Sequence, residues 1–440
     1  MIAVLAVAIG LSACAGGDAP RPAAPAVRPD TPAATLAPIA PRAGPGPLIA
    51  ASPEAGTVVP RDGLARVGLL VPLTGPSAPI GQGLLNAAQM AVFDAADERF
   101  VLQVYDTQGT PDGAAAAAAL AVSHGVQLVL GPLFAAEAKA VAAQAAAANV
   151  RVISFSTDPS VAGGPVHVMG FLVGEQVRAI VDYARERGLA RIAVLAPNTI
   201  YGQSVVDALG EAVPAAAGQL TRVAYFDPSG SDLEDVVRRL SDYDRRRALL
   251  DAQRAELAQR TDEVSQLALK RLERLDTMGD VDFDAVFIPE QGPRLAQAAS
   301  LLSLFDVEPG RVQLLGTMLW NAPGLGGEPA LVGAVYPAPD PSANRDFAQR
   351  YRLAYGATPP PLATHGYDAA ALAAVLARAD AAEPFSAEAL VNPAGFAGVD
   401  GIFRLTASGL AERGFAILQV SRTGADVVRP APATFAPAQF

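Results

Sequence analysis

The 440-residue sequence is poor in the side chains that most often carry chemistry: one cysteine (Cys14), one tryptophan (Trp320) and three histidines (His124, His167, His365). A single cysteine excludes an internal disulfide, a cysteine zinc site and an iron–sulfur cluster. Lysine is nearly missing too, with Lys139 and Lys270 the only two among 33 basic side chains. Although 51% of residues are apolar, no apolar run reaches the roughly 20 residues a membrane-spanning helix needs. Much of that share is alanine, the residue helices accommodate most easily.

Catalytic motifs are absent as well. There is no GxxxxGK[ST], HExxH or GxSxG, and Gly81-Gln82-Gly83 lacks the third glycine of a dinucleotide-binding turn. The acids form no isolated pair in an apolar context. Each histidine has a structural reading. His124 closes a helix before Gly125, His167 follows Pro165-Val166 in a strand crossing, and His365 opens a helix near Asp368. A formal net charge of −11 repels phosphate, so no nucleic-acid partner is expected. The chain reads as a non-enzyme with no cofactor and no metal; a hydrolase is the weakest alternative.

The amino terminus accounts for the lone cysteine. Residues 1–13 contain a short apolar run that ends in small residues directly before Cys14, the pattern of a secretory signal and its cleavage region. Leu11-Ser12-Ala13-Cys14 resembles the bacterial lipobox, which implies lipidation of Cys14 after cleavage before it. Met1 is followed at once by Ile2, without a basic segment; either the natural start lies upstream or the run is not a working signal. The competing reading of Cys14 is a buried apolar thiol. Residues 14–63 hold eleven prolines and almost no periodicity, which predicts a semi-rigid tether. At about 3.1 Å per residue the 46 residues from 15 to 60 would reach on the order of 140 Å when extended.

From Leu64 onward, near-continuous apolar runs alternate with helical patterns, starting with Ala65–Pro72 (ARVGLLVP). That rhythm predicts parallel β-α-β units in doubly wound sheets. The number of strands exceeds one open sheet. Breaks around 168–174 and 332–341 therefore divide the chain into lobe 1 (64–172 plus 336–400) and lobe 2 (173–335 plus 401–424). A tail covers 425–440. Gly401–Leu405 and Phe415–Val420 read as a hairpin-like pair. Residues 232–280 break the rhythm, with 22 charged side chains among 49 and Leu250, Leu257 and Val264 at seven-residue spacing. This predicts one long amphipathic helix or a helical hairpin inserted in lobe 2, either solvated decoration or a partner-binding surface.

Open α/β sheets bind ligands at the carboxyl ends of their strands. Polar and aromatic residues collect there: Thr74, Ser77, Phe134, Ser156, Thr157 and Asp158 in the first lobe, and Tyr201, Glu290 and Trp320 in the second. Several of these are equally good helix caps.

Taken in order, RVGLLVPLTGPSAPIGQGLLNAAQMA, VYDTQGTP, VQLVLGPLFAAEA, VISFSTDPS and IAVLAPNTIYGQ resemble the type I periplasmic binding proteins of the leucine-binding protein family. The resemblance covers roughly residues 64–420. It implies an α/β, two-lobed type I periplasmic-binding-protein-like fold, each lobe a doubly wound, mostly parallel sheet, with the helical insertion in lobe 2. Within that superfamily, the lipobox, the tether, VYDT followed by LVLGPL, the insertion before DAVFIP, and THGYDAAALA are most similar to the penicillin-binding protein activators. That resemblance implies a lipoprotein on the periplasmic face of the outer membrane, with a peptidoglycan synthase as partner. The best-known activators carry a helical-repeat domain where this sequence has only its linker.

Residue by residue, the amino-acid site of the family transfers poorly. Ala135 and Ala136 stand where a Ser or Thr holds the ligand carboxylate, and Ser156 and Asp158 fall in the next loop. Met318 replaces the acid that pairs with the ligand ammonium, leaving Glu290 or Asp158 as substitutes. The sequence thus favours a regulator of peptidoglycan synthesis acting on a penicillin-binding protein. The alternative is a substrate-binding lipoprotein of an ABC transporter for amino acids or a similar small polar ligand.

Overall fold

The computed structural model describes residues 63–379 and 383–435. The signal at 1–13, Cys14 and the tether as far as residue 62 lie outside the described residues, as do 436–440.

The first lobe begins with β1 (Ala65–Val71), α1 (Ala78–Ala95), β2 (Phe100–Asp106), α2 (Pro111–Ser123), β3 (Leu128–Leu130), α3 (Ala135–Ala147), β4 (Arg151–Ser154) and β5 (Val166–Val168). Its five strands pair in parallel in the order β2-β1-β3-β4-β5. Strand β1 shows why the run is nearly all apolar. Val67, Leu69 and Val71 enter the core on one face of the sheet, while Leu70 enters the core on the other. A parallel strand covered by helices on both sides has no solvent face to furnish.

The chain then crosses to α4 (Val173–Glu186), β6 (Arg191–Pro197), α5 (Ile200–Ala215), β7 (Gln219–Phe226), α6 (Leu233–Leu240), α7 (Tyr243–Ala258) and α8 (Glu263–Leu272). After these come β8 (Ala285–Phe287), α9 (Gly292–Leu304), β9 (Gln313–Leu315) and β10 (Val335–Ala338). It returns as α10 (Pro341–Tyr355), α11 (Ala363–Arg378), α12 (Ala387–Leu390), β11 (Phe396–Gly398), β12 (Gly401–Leu405) and β13 (Ala411–Arg413). A third crossing leads into β14 (Ala416–Ser421) and β15 (Gly424–Arg429). The second sheet runs β15-β14-β10-β9-β8-β6-β7; β14 alone runs against the parallel set, and β15, antiparallel to β14, returns to its direction.

Three strand assignments differ from the sequence expectation. Strand β10 pairs with β9 and β14, so the second crossing follows residue 338 and lobe 1 does not resume at 336. Gly401–Leu405 belongs to the first lobe, in a small sheet of order β11-β12-β13. Phe403, Leu405 and Ala411 pack into the first-lobe core with Leu69 and Phe155, and the Val168 amide donates to the Gly409 carbonyl at 2.7 Å. The expected hairpin is therefore two strands of different sheets, with the third crossing between them. Residues 424–429 form the edge strand β15 rather than a tail. The sequence misplaced these because each is a short apolar run that fits either lobe, and pairing across the fold made the choice.

The 232–280 insertion is neither one long helix nor a simple hairpin. Helix α6 is part of the core, burying Leu233, Val236, Val237 and Leu240 beside Phe226 and Phe283. Asp242 then takes a left-handed conformation (φ 53°), which ends the helical path and redirects the chain into α7. Only α7 and α8 project. Leu250 is fully buried, whereas Val264, its partner in the heptad reading, is 76% exposed. Arg254 Nη2 donates to the Leu272 and Leu275 carbonyls at 2.8 and 2.9 Å, closing α7 onto α8. The pair is held to the lobe by Arg246, which is buried. Its guanidinium donates to the carbonyls of Gly279 (3.0 Å) and Asp306 (3.2 Å) and pairs with Asp306 Oδ2 (3.1 Å). Arg246→Ala removes the buried member of this pair together with its carbonyl bonds and is expected to destabilise by about 2 kcal/mol. Thermal unfolding measures the loss, and amide exchange should rise first in residues 243–278.

Candidate functional site

The chain leaves β5 and β10 at their carboxyl ends to cross between lobes, so the carboxyl edges of both sheets lie beside the crossings. Parallel sheets present their loops and helix amino ends at that edge. Glycine brings the helices in close. A Cβ on Gly81 would lie 1.8 Å from the Pro72 carbonyl oxygen, and one on Gly202 would lie 2.0 Å from that of Pro197. Only glycine lets α1 and α5 start directly over the ends of β1 and β6.

In the first lobe Asp106 organises the edge. Its Oδ1 accepts from the amides of Leu73 (2.8 Å) and Gln108 (2.8 Å), and its Oδ2 accepts from the Thr74 hydroxyl at 2.7 Å. Burial pushes this carboxyl up, but the hydrogen bonds from Thr74, Gln108 and Leu73 together hold it below the usual carboxylate range. Thr74 is thus engaged in shaping its own turn. Ser77 sits at the amino end of α1 without capping it. Ser156 is buried, and its hydroxyl accepts from the Asp158 amide at 3.1 Å. Asp158 caps the following turn through the Ser160 amide at 2.9 Å. Thr157 is exposed. Phe134 is 36% exposed at the amino end of α3, and its ring offers that helix no cap. Below it Glu137 is buried and accepts from the Phe134 amide at 3.0 Å. Burial pushes the Glu137 carboxyl up against the hydrogen bonds it receives.

In the second lobe the Tyr201 hydroxyl donates to Thr317 Oγ1 at 2.8 Å. Burial raises the Tyr201 hydroxyl, the Thr317 bond opposes this, and the nearby charge of Glu290 raises it further. Glu290 is half-buried and accepts from the Gln291 amide at 2.9 Å. Trp320 is a core residue at 1% exposure, its indole N–H donating to the Glu290 carbonyl at 2.9 Å. It supports the Glu290 loop from beneath instead of facing a cleft. The structure therefore gathers Tyr201, Glu290 and Trp320 around one loop cluster, and in the first lobe it ties Thr74 to Asp106 and Ser156 to Asp158.

Several residues at these edges were not found from sequence. Ile200 is 86% exposed at the start of α5. Gln176 is buried and accepts from the Met318 amide at 3.0 Å, which fixes the loop that carries Met318. Glu137 had a readable signal, an acid three residues into a helix after a turn; Gln176 had none. Among the described residues no group of three or more His, Cys, Asp or Glu is arranged to hold a metal ion. A hollow of about 320 Å³ lined by Arg191, Arg246, Asp284, Asp306 and Arg311 lies at the opposite, amino-terminal edge of the second sheet. Its arginines are engaged: Arg191 with Asp284 (2.6 Å), Arg246 with Asp306 (3.1 Å), and Arg311 with Asp280.

Two sheets crossed three times, with their loop-bearing edges at the crossings, match a known architecture, and residues 65–425 match the model of the periplasmic binding protein family. The chain belongs to that family. Its fold is the two-lobed type I form. A Rhodospirillum rubrum structure assigned to branched-chain amino acid ABC transport superposes with a TM-score of 0.66 at 19% identity, covering 83% of this chain and 100% of that one. A Desulfitobacterium hafniense ABC transporter substrate-binding protein in complex with Leu gives 0.56 at 18% identity, covering 82% and 99%. A solute-binding protein of an ABC transporter from R. palustris in complex with benzoate gives 0.51 at 17%, covering 84% and 98%. Among curated proteins, RP748 of Rickettsia prowazekii (strain Madrid E), an uncharacterised protein, is 22% identical over 176 residues, 40% of this chain. The match spans 47% of that relative's length.

In this periplasmic binding protein the Asp106 cage gives a test of the first-lobe edge. A carboxyl held low in the folded state contributes stability above its unfolded value and loses it as pH falls. Asp106→Asn is therefore expected to lower the melting temperature at pH near 7, and the gap to the parent should close towards about pH 3. A series of melts against pH reads this directly.

Proposed function

We propose that this periplasmic binding protein takes a small polar ligand between its lobes, as the substrate-binding lipoprotein of an ABC transporter anchored through Cys14. The observation that carries the reading is the pair of groups left for a ligand at the two sheet edges. On the second lobe, Glu290 stands beside Tyr201. On the first, Glu137 takes the Phe134 amide at the amino end of α3, and the remaining first-turn amides there favour an anionic group. Phe134 and Ile200 add exposed apolar surface at the same edges. A ligand with an acid group towards α3, an amine towards Glu290 and an apolar body suits this arrangement. Leucine in the Desulfitobacterium protein and benzoate in the R. palustris protein are of that size, and they support an amino acid or small carboxylate here.

A thermal-shift screen of amino acids and aromatic carboxylates, followed by calorimetry, tests this. A ligand at about 100 times its Kd should add about 2.7 kcal/mol of stability. Glu290→Gln is expected to weaken amine-bearing ligands about tenfold and leave carboxylates without an amine unaffected. If no small polar ligand shifts the melt, the transporter reading fails.

One observation favours a second reading, in which the protein regulates peptidoglycan synthesis at the outer membrane by activating a penicillin-binding protein. The α7–α8 projection is anchored through buried Arg246 yet leaves Leu249, Val264 and Leu267 exposed. Pull-down of a membrane peptidoglycan synthase by the full chain, abolished by Val264→Asp with Leu267→Asp while the melt is unchanged, is the expected result. Capture that is indifferent to both substitutions would remove the projection as the contact.

A further inference from the structure

Beside the crossings, the first lobe buries four ionisable side chains together. His365 and Asp368 lie on α11, Asp400 between β11 and β12, and Arg413 at the end of β13. Their exposures are 0%, 2%, 2% and 6%. Asp368 Oδ1 accepts from the Val399 amide at 2.7 Å, and Asp400 Oδ1 accepts from Asn344 Nδ2 at 3.4 Å. Arg413 Nη2 donates to the Met169 carbonyl at 2.8 Å. The guanidinium lies 4.9 Å from the Phe171 ring and 5.3 Å from that of Phe403, and His365 meets Phe171 edge-on at 4.7 Å. Asp368 Oδ2, Asp400 Oδ2, Arg413 Nε and Nη1 and both His365 ring nitrogens have no hydrogen-bond partner.

This cluster touches all three connections between the lobes. Met169 and Phe171 belong to the first crossing, Asn344 to the first turn of α10 just after the second, and Arg413 stands two residues before Phe415 in the third. Its charges do not balance: two carboxylates face one guanidinium, and a buried excess charge is costly. One proton on the carboxylate pair removes the excess. Asp368 faces Asp400 from the β11–β12 turn and Arg413 from β13. Asp400 faces Arg413, the Thr364 hydroxyl and His365 from α11, the His365 Nδ1 lying 3.9 Å from its Oδ2, and the neutral Asn344 from α10. Burial, and then the charge of Asp400, push the Asp368 carboxyl up to about 7. Burial raises Asp400 as well. Burial also holds His365 well below its usual value, so it stays neutral through this range.

We propose that Asp368 and Asp400 share one proton as a latch on the hinge, which leaves Arg413 on the Met169 carbonyl. Release of that proton to solvent draws Arg413 towards the two carboxylates and frees the first and third crossings to move. The sign follows from linkage. A carboxyl raised in the folded state stabilises the latched form at low pH, and that stability is lost as pH rises through about 7. The latch is a property of the empty protein and does not depend on which ligand or partner it takes.

Two measurements without ligand test it on the full-length chain in a Cys14→Ser background. Infrared spectroscopy of the otherwise unchanged protein should show a protonated carboxylic-acid band at about pH 5.5 that disappears by about pH 8.5. Asp368→Asn should abolish it. Spin labels at Leu120→Cys and Leu304→Cys, exposed sites in the two lobes, should report an interlobe distance distribution that shifts over the same range. With Asp368→Asn the distribution should keep its low-pH form throughout. A missing infrared band, or a distance distribution indifferent to pH, overturns the latch even if the Asn variant does not fold. An Asn variant whose distances keep the parent's pH response overturns it as well.

Discussion

Parallel strand pairing is the constraint on which the rest of this molecule depends. Neighbouring parallel strands cannot be joined by a tight turn, so every connection must travel back over a face of the sheet, usually as a helix. In this chain the consequence is visible at β1, where Val67, Leu69, Val71 and Leu70 are all buried because helices cover both faces. It also puts the strand-to-helix loops and the helix amino ends on one edge of each sheet. The crossings leave from that edge, so the binding surfaces and the hinge become neighbours.

The same constraint divides the buried charges into two kinds. Arg246 is engaged by backbone carbonyls and by Asp306, and it works as a fixed anchor for a projecting pair of helices. Arg413 is equally inaccessible but donates only to Met169 and rests on two aromatic rings. A fully satisfied buried cation is rigid, whereas a half-satisfied one beside competing carboxylates has an alternative place to go. The difference between anchor and latch is therefore one of hydrogen-bond satisfaction, at similar burial.

At the sheet edges, the residues that sequence reasoning picked stand at strand ends, and several of them are bonded within their own loops. Thr74, Ser156 and Asp158 stand at strand ends as their polarity suggested, but each is bonded to its own loop. Trp320 drew notice as the lone tryptophan and is a core residue beneath the Glu290 loop. A short polar side chain after a strand has the same sequence signature whether it caps the next helix or faces a ligand, because both roles use an oxygen at a helix amino end. Ile200 and Gln176 carried no signal, since exposure of the first and burial of the second depend on elements far away in the chain.

Local pattern by itself determined the α/β class and the span and order of most strands and helices, because continuous apolar strands alternating with helices admit few other arrangements; the family came from the resemblance of the motifs between RVGLLVP and NTIYGQ. Tertiary structure alone decided which sheet β10, β12 and β15 join, where the 232–280 segment breaks at Asp242, and that His365, Asp368, Asp400 and Arg413 share one buried site. Periodicity reports which face of an element is covered. It does not report by what, and strand partners and buried charge clusters are set by residues that meet only when the chain has folded.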